Sequence, residues 1–330
     1  MPIRPISRAA LAAAVLLAGL GTVGTAAGQA GAPPASKFVT LGTHGGPVSN
    51  PTRSQPANAL IVGNDVYIVD VGDGAVQQMA KSGIRLGQIK AVFISHLHFD
   101  HTGGLGALLG LRLQTNVPGK LTIYGPPGTR ELVAGLVSSE RPASVAGYGI
   151  PGQGYGNPAD KVEVIEIADG QSLQVGSMTV KVRQNTHYSF PAGSEMDQHY
   201  KSVSFRFNLP DRSIVVTGDT GPSGAVAELA KGADLLVSEM IDEEATVAAV
   251  RRNSPNMPPA QVANVVEHLT SHHLTPSDVG KLAATSGVKS VVVTHLAGDN
   301  PTSADLLRYL KDIKTQYAGP VIVASDLDRF

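Results

Sequence analysis

Cysteine is absent from all 330 residues, which excludes a thiolate metal site, a disulfide framework and a lipid-anchored N-terminal cysteine. Charge is scarce as well. Asp, Glu, Lys and Arg make up 16% of the chain and the formal net charge is −1, so the basic stripe that normally neutralises a nucleic-acid backbone is missing and no nucleic-acid partner is expected. There is no internal repeat. The one long apolar run, Ala9–Leu20, follows Arg4 and Arg8 and gives way to small residues ending in Thr25-Ala26-Ala27 or Gly28-Gln29-Ala30. It is too short for a good membrane span and reads as a secretory signal peptide over residues 1–30. Residues 31–330 are then expected to be a single periplasmic or secreted domain without stable membrane insertion, large enough for one well-buried core. Subunit pairing, a homodimer included, is left open.

What the chain does contain is concentrated in His96-Leu97-His98-Phe99-Asp100-His101, directly after the apolar run Ala91-Val92-Phe93-Ile94. The run reads as a buried strand, and Thr102-Gly103-Gly104 followed by Leu105, Leu108, Leu109 and Leu111 reads as a turn entering a helix. The cluster therefore sits at a strand's C-terminal end. Side chains alternate in extended chain, so His96 and His98 point the same way and can clasp one ion. Asp100 and His101 fall in the turn, where they can address a second. Imidazole and carboxylate are ligands that zinc, iron and manganese share.

Three further candidates also follow apolar strands: His187 after Met178–Val182, Asp219 after Ile214–Val216 and His295 after Val291–Val293. A lone histidine after a strand is more often structural than ligating. Four strand ends carrying His or Asp together point to a ligand set, because sites in sheet proteins gather beyond the carboxyl ends of strands. Seven ligands suit two ions rather than one.

The rest of the chain gives an alternating pattern early on. Strands are expected at Phe38–Leu41, Ala59–Val62, Val66–Val69 and Leu121–Tyr124, the middle two as a hairpin, with helices over Val76–Ser82 and Thr129–Val137. Further strands are expected at Val162–Ile167, Met178–Arg183, Ser202–Asn208 and Ser213–Thr217. Ser138–Lys161, rich in Gly, Pro, Ser and Tyr, reads as a long loop over the site.

Taken in order, Leu41-Gly42-Thr43, Asp70-Val71-Gly72-Asp73-Gly74, the His96–His101 motif, His187, Gly218-Asp219-Thr220, His273-Leu274-Thr275 and Thr294-His295 resemble the metallo-β-lactamase superfamily. Within it the chain is similar to the branch of ribonuclease Z and its phosphodiesterase and arylsulfatase-like relatives. The resemblance implies an α/β fold, the four-layer αβ/βα sandwich, and a hydrolase with two divalent ions, zinc first with manganese and iron as alternatives. It implies that His96, His98 and His187 hold one ion, that Asp100, His101 and His295 hold the other, and that Asp219 bridges both. Asp100 and His273 are the candidate catalytic residues, with His273 meeting developing negative charge or protonating the leaving oxygen and His272 not separable from it by sequence. His268 and His199 read as surface or cap residues.

Two departures bear on substrate. Only 219 − 187 = 32 positions separate His187 from Asp219, whereas ribonuclease Z inserts a tRNA-gripping arm there. His44 replaces a glycine of the opening turn and reads as a solvated loop residue. The expectation is a hydrolase of small esters, phosphodiesters first and aryl sulfates second. Lactone, thioester or other carboxyl-ester hydrolysis is the alternative, and a non-enzymatic metal-dependent binding protein is the weaker one.

Overall fold

The computed structural model describes residues 35–330, so the expected signal peptide lies outside the described residues. The first half of the chain builds one sheet. β1 (Lys37–Gly42), the two-residue β2 (His44–Gly45), β3 (Ala57–Val62) and β4 (Asp65–Val71) lead into α1 (Ala75–Lys81). They are followed by β5 (Ile89–Phe93), α2 (Phe99–Thr102), α3 (Leu105–Gln114), β6 (Leu121–Gly125), α4 (Thr129–Ala146) and β7 (Val162–Glu166). The sheet order is β1-β3-β4-β5-β6-β7. β1, β3 and β4 pair antiparallel, as the hairpin around Gly63-Asn64 requires, and β4 to β7 pair parallel. A parallel strand covered on both faces must be apolar throughout, which is why Ala91–Phe93 shows no alternation.

The second half builds the other sheet from β8 (Ser172–Val175), β9 (Met178–Gln184), α5 (Glu195–His199), β10 (Val203–Asn208), β11 (Ser213–Val216), α6 (Gly224–Ala230) and β12 (Leu235–Glu239). The chain then runs through α7 (Glu243–Asn253), α8 (Pro259–Ser271), α9 (Pro276–Ser286), β13 (Val291–Thr294), β14 (Leu296–Ala297), α10 (Ser303–Lys314) and β15 (Val321–Val323). Its order is β15-β13-β12-β11-β10-β9-β8.

Alternate residues of each strand face opposite layers, so one core lies between the sheets and two lie under the helices. Between the sheets Phe93 stacks on Tyr124 with ring centroids 5.0 Å apart and meets Phe205 and Phe207 edge-on at 5.6 and 5.2 Å. Met79, Leu105, Leu108 and Val133 bury α1, α3 and α4 on the first sheet, and Val226, Val279, Tyr309 and Ile313 bury α6, α9 and α10 on the second. The result is the expected four-layer sandwich. The C-terminal tail returns to the first sheet, where Phe38 and Phe330 exchange backbone hydrogen bonds of 3.0 and 2.9 Å.

Two expectations fail here. α4 continues through Ser138 and Pro142 to Ala146, with Ser144 buried near its end. The rest of the expected loop is tied to the far end of α3: the Tyr148 hydroxyl donates to the Gln114 carbonyl at 3.0 Å, and Tyr155 N–H donates to the Ser144 carbonyl at 2.9 Å. α3 starts beside the His-rich turn and runs ten residues away from it, about 15 Å, so this loop does not cover the site. His44 is buried, not solvated, and its Nε2 lies 2.8 Å from the Val48 carbonyl.

Phe93→Ala is expected to cost about 3–5 kcal/mol, read as a lowered denaturation midpoint. On α4, Glu140 has a buried carboxyl oxygen without a hydrogen-bond partner, and burial pushes its carboxyl up from 4.5 to about 7. The folded chain therefore binds this proton more tightly than the unfolded chain, and stability present below the lower value is lost as pH rises through the higher one. Glu140→Gln should leave thermal stability unchanged near about pH 4 and raise it near about pH 8; equal shifts at both would refute this.

Candidate metal centre

β5, β9, β11, β12 and β13 all deliver their C-terminal ends to one edge of the sandwich, since β11, β12 and β13 are parallel and β9 reaches the same direction through antiparallel β10. After β5 the chain is anchored before it reaches the histidines. Ser95 donates its N–H and its hydroxyl to the two carboxylate oxygens of Asp70, both at 2.8 Å. His101 Nδ1 meets the same carboxylate at 2.9 Å, which turns His101 Nε2 inward. Asp70 pays for this with a left-handed backbone, φ 61°, a conformation that a non-glycine residue keeps only where its surroundings enforce it.

All seven candidate ligands come together. His96, His98 and His187 form one group and Asp100, His101, Asp219 and His295 another, the ligating atoms of each lying within 4.8 Å of one another. Asp219 stands between the groups: its Oδ2 is 3.0 Å from His295 Nε2, 3.3 Å from His101 Nε2, 3.8 Å from His96 Nε2 and 3.9 Å from His187 Nε2. Asp100 Oδ2 is 3.5 Å from both His101 and His295 and accepts the Gly46 N–H at 2.9 Å. β2 pairs with β14 across this point. Only glycine fits at Gly45, where a Cβ would sit 2.3 Å from the His295 ring.

The donor set fits divalent metal. His96 Nε2, His101 Nε2, His295 Nε2 and Asp219 Oδ1 are buried without a hydrogen-bond partner, and each such atom costs about 1–3 kcal/mol unless something satisfies it. Burial holds the His96 and His187 imidazoles well below their usual range, in the neutral form a metal requires. Burial would raise Asp219, but His295 and His101 outweigh it and keep the carboxylate ionised. Burial also opposes charge on His295, yet Asp219 and Asp100 prevail and push it up to about 10. The carboxylates thus draw positive charge to the place where a cation would supply it.

Sequence reasoning overlooked Glu239. It is buried at the end of β12, accepts the Thr220 and Leu274 N–H groups at 3.1 Å each and holds His273 Nδ1 at 3.1 Å. Burial lowers the His273 imidazole, but the Glu239 carboxylate outweighs it and the net shift is upward. The signal was available, because Leu235-Leu236-Val237 is another apolar run, followed after Ser238 by a ligating residue type, Glu239. His272 turns aside, its Nδ1 2.8 Å from the Thr186 carbonyl, and His199 stays exposed. His268, read as an ordinary surface residue, lies against the centre with its ring centroid 4.8 Å from His187 and 5.5 Å from His273.

A double-sheet sandwich that gathers these side chains at one edge has the build of a metallohydrolase. Residues 67–296 match the family described as the beta-lactamase superfamily domain. Ribonuclease Z of Mycolicibacterium paratuberculosis is 30% identical over 260 residues, covering 78% of this chain and 85% of that protein. Among solved structures, the metallo-beta-lactamase fold protein YhfI from Bacillus subtilis aligns with TM-score 0.65 and 18% identity over 89% of this chain and 98% of its own. The short form of human tRNase Z aligns with TM-score 0.61 and 22% identity over the same shares. The chain belongs to the beta-lactamase superfamily, as a hydrolase of the metallo-β-lactamase fold related to ribonuclease Z, a fold that implies divalent metal.

These relatives overturn the expectation that nucleic acid is excluded. That exclusion rested on net charge, on the short His187–Asp219 interval and on the expected export, which would keep the enzyme from precursor tRNA; none of these describes the centre itself, whereas relatives named for ribonuclease activity match this chain over most of their length. Gly45→Ala should displace His295 and lower metal content per folded chain, read by elemental analysis with circular dichroism unchanged; full metal content would refute the close approach.

Proposed function

We propose that this hydrolase cleaves phosphodiesters, RNA among them, at a two-ion centre. The observation that carries the reading is the position of Asp219, whose one carboxylate reaches both ligand groups. His96, His98 and His187 would hold one divalent ion, Asp100, His101 and His295 the second, and Asp219 both, with zinc suited to the nitrogen and oxygen donors. Bound there, the ions would lower the pKa of water and neutralise charge on the phosphoryl oxygens.

The chain's own residues supply the rest. Glu239 holds His273 by Nδ1, which leaves Nε2 to donate a proton to the leaving oxygen as its bond to phosphorus breaks. His272 is already committed to a backbone carbonyl, which favours His273 for this role. Asp70 and the Gly46 N–H hold His101 and Asp100 in place, so the centre needs little rearrangement. Names of the relatives favour RNA phosphodiesters. Export to the periplasm or medium is also proposed, on the sequence of residues 1–30 alone.

His273→Ala should lower phosphodiester turnover by about 10²–10⁴-fold with metal content unchanged; loss of metal would make His273 a ligand instead. A panel of aryl phosphodiester, 3′-extended tRNA, aryl sulfate, lactone, thioester and β-lactam tests the reaction class. Turnover of either phosphodiester is expected, and fast lactone opening with neither phosphodiester cleaved would overturn the proposal.

A further inference from the structure

α8 is an unusual neighbour for a buried centre, because none of its thirteen residues is fully buried. Its apolar positions Val262, Val265, Val266 and Leu269 are only half-covered, so the helix rests on the surface. Its C-terminal end is nevertheless fixed. His272 N–H donates to the His268 carbonyl at 2.9 Å, His272 Nδ1 lies 2.8 Å from the Thr186 carbonyl, and the His272 carbonyl lies 3.2 Å from His187 Nδ1. The approach is closest at Gly221, two residues beyond Asp219, where a Cβ would be 2.4 Å from the Ser271 carbonyl oxygen.

Residues four apart share a helix face, so pinning His272 against the site also points His268 at it. The two rings are 5.4 Å apart. A ring nitrogen of His268 comes within 4.8 Å of those of His187 and His273, and its ring lies 6.1 Å from that of His98. Its neighbours have their Nδ1 atoms occupied, His273 by Glu239 and His272 by Thr186; among the described residues no carbonyl or carboxylate receives the His268 ring N–H. It is half-buried and so remains reachable from solvent. A donor placed at the rim, paired with His273 and left without a protein acceptor, suits an oxygen that arrives with substrate.

We infer that His268 is a substrate-binding residue, whose ring N–H, beside His273, receives a non-bridging oxygen of a phosphate ester or of inorganic phosphate. The inference rests on the phosphodiesterase reading above. It assigns to α8 the role of carrying part of the substrate site, with the pinned end setting the position of the ring and the rest of the helix lying outside the centre.

The test compares zinc-loaded wild type with His268→Phe, which keeps a ring but removes the donor, and His268→Asn, which restores a donor. Expected for His268→Phe is a rise of about tenfold in KM for an aryl phosphodiester and a matching weakening of inorganic phosphate binding by calorimetry. kcat should change far less, zinc content and thermal midpoint should hold, and His268→Asn should recover part of the loss. Unchanged KM and phosphate affinity in His268→Phe would overturn the inference, as would loss of zinc, which would make His268 a ligand. Because phosphate binding needs no turnover, the two failures are distinguishable: a wild type that cleaves no phosphodiester yet binds phosphate through His268 would sink the reaction assignment, and with it the substrate role, while leaving the phosphate contact of His268 in place.

Discussion

The structure turns on one buried carboxylate surrounded by imidazoles. Asp219 is almost wholly out of solvent and has His96, His101, His187 and His295 within 4 Å. So many polar atoms in one dry place are tolerable only if their positions are fixed and their charges balanced. The surrounding details follow from that demand. Asp70 accepts a strained backbone in order to hold His101, Glu239 answers three donors at once, and Gly45 gives up a side chain so that His295 can lie flat against the opening turn.

Much of this was legible because the superfamily writes its site in local text. His96 to His101 is one continuous phrase, and His187, Asp219 and His295 each follow an apolar strand, so a rule about strand ends was enough to mark them as candidates. The alternating pattern likewise placed most of the first sheet. What escaped notice depends on distance through space. His268 is separated from His187 by 81 positions, 268 − 187, and on its own helix it looks like any half-exposed histidine; only the pinning of His272 shows which way it faces.

The loop after α4 misled for a different reason. Ser138, Ser139 and Pro142 are poor helix formers taken singly, and tertiary context, with Ser144 buried, overrides that weak local preference. Its Gly- and Tyr-rich continuation has the composition of a functional loop, yet its hydrogen bonds go to Gln114 and Ser144. Composition reports that a segment is irregular, whereas its hydrogen-bond partners decide which end of the domain it serves. The same limit applies to the nucleic-acid exclusion: net charge averages over the whole surface and carries no information about one edge of a sandwich.

The rungs between Phe38 and Phe330 place the start of the first strand beside the end of the chain. Thr40 and Leu327 continue this contact with a backbone hydrogen bond of 2.6 Å, and Asp326 accepts hydrogen bonds from Thr43, Ser54 and Gln78. Topologically the folded domain is therefore close to a ring. A short linker could join Phe330 to Lys37, and the chain could be opened instead at the Gly147–Gly156 turn, far from the ligands, without changing the neighbours of any ligand. The order in which the two halves are encoded is thus separable from the centre they build.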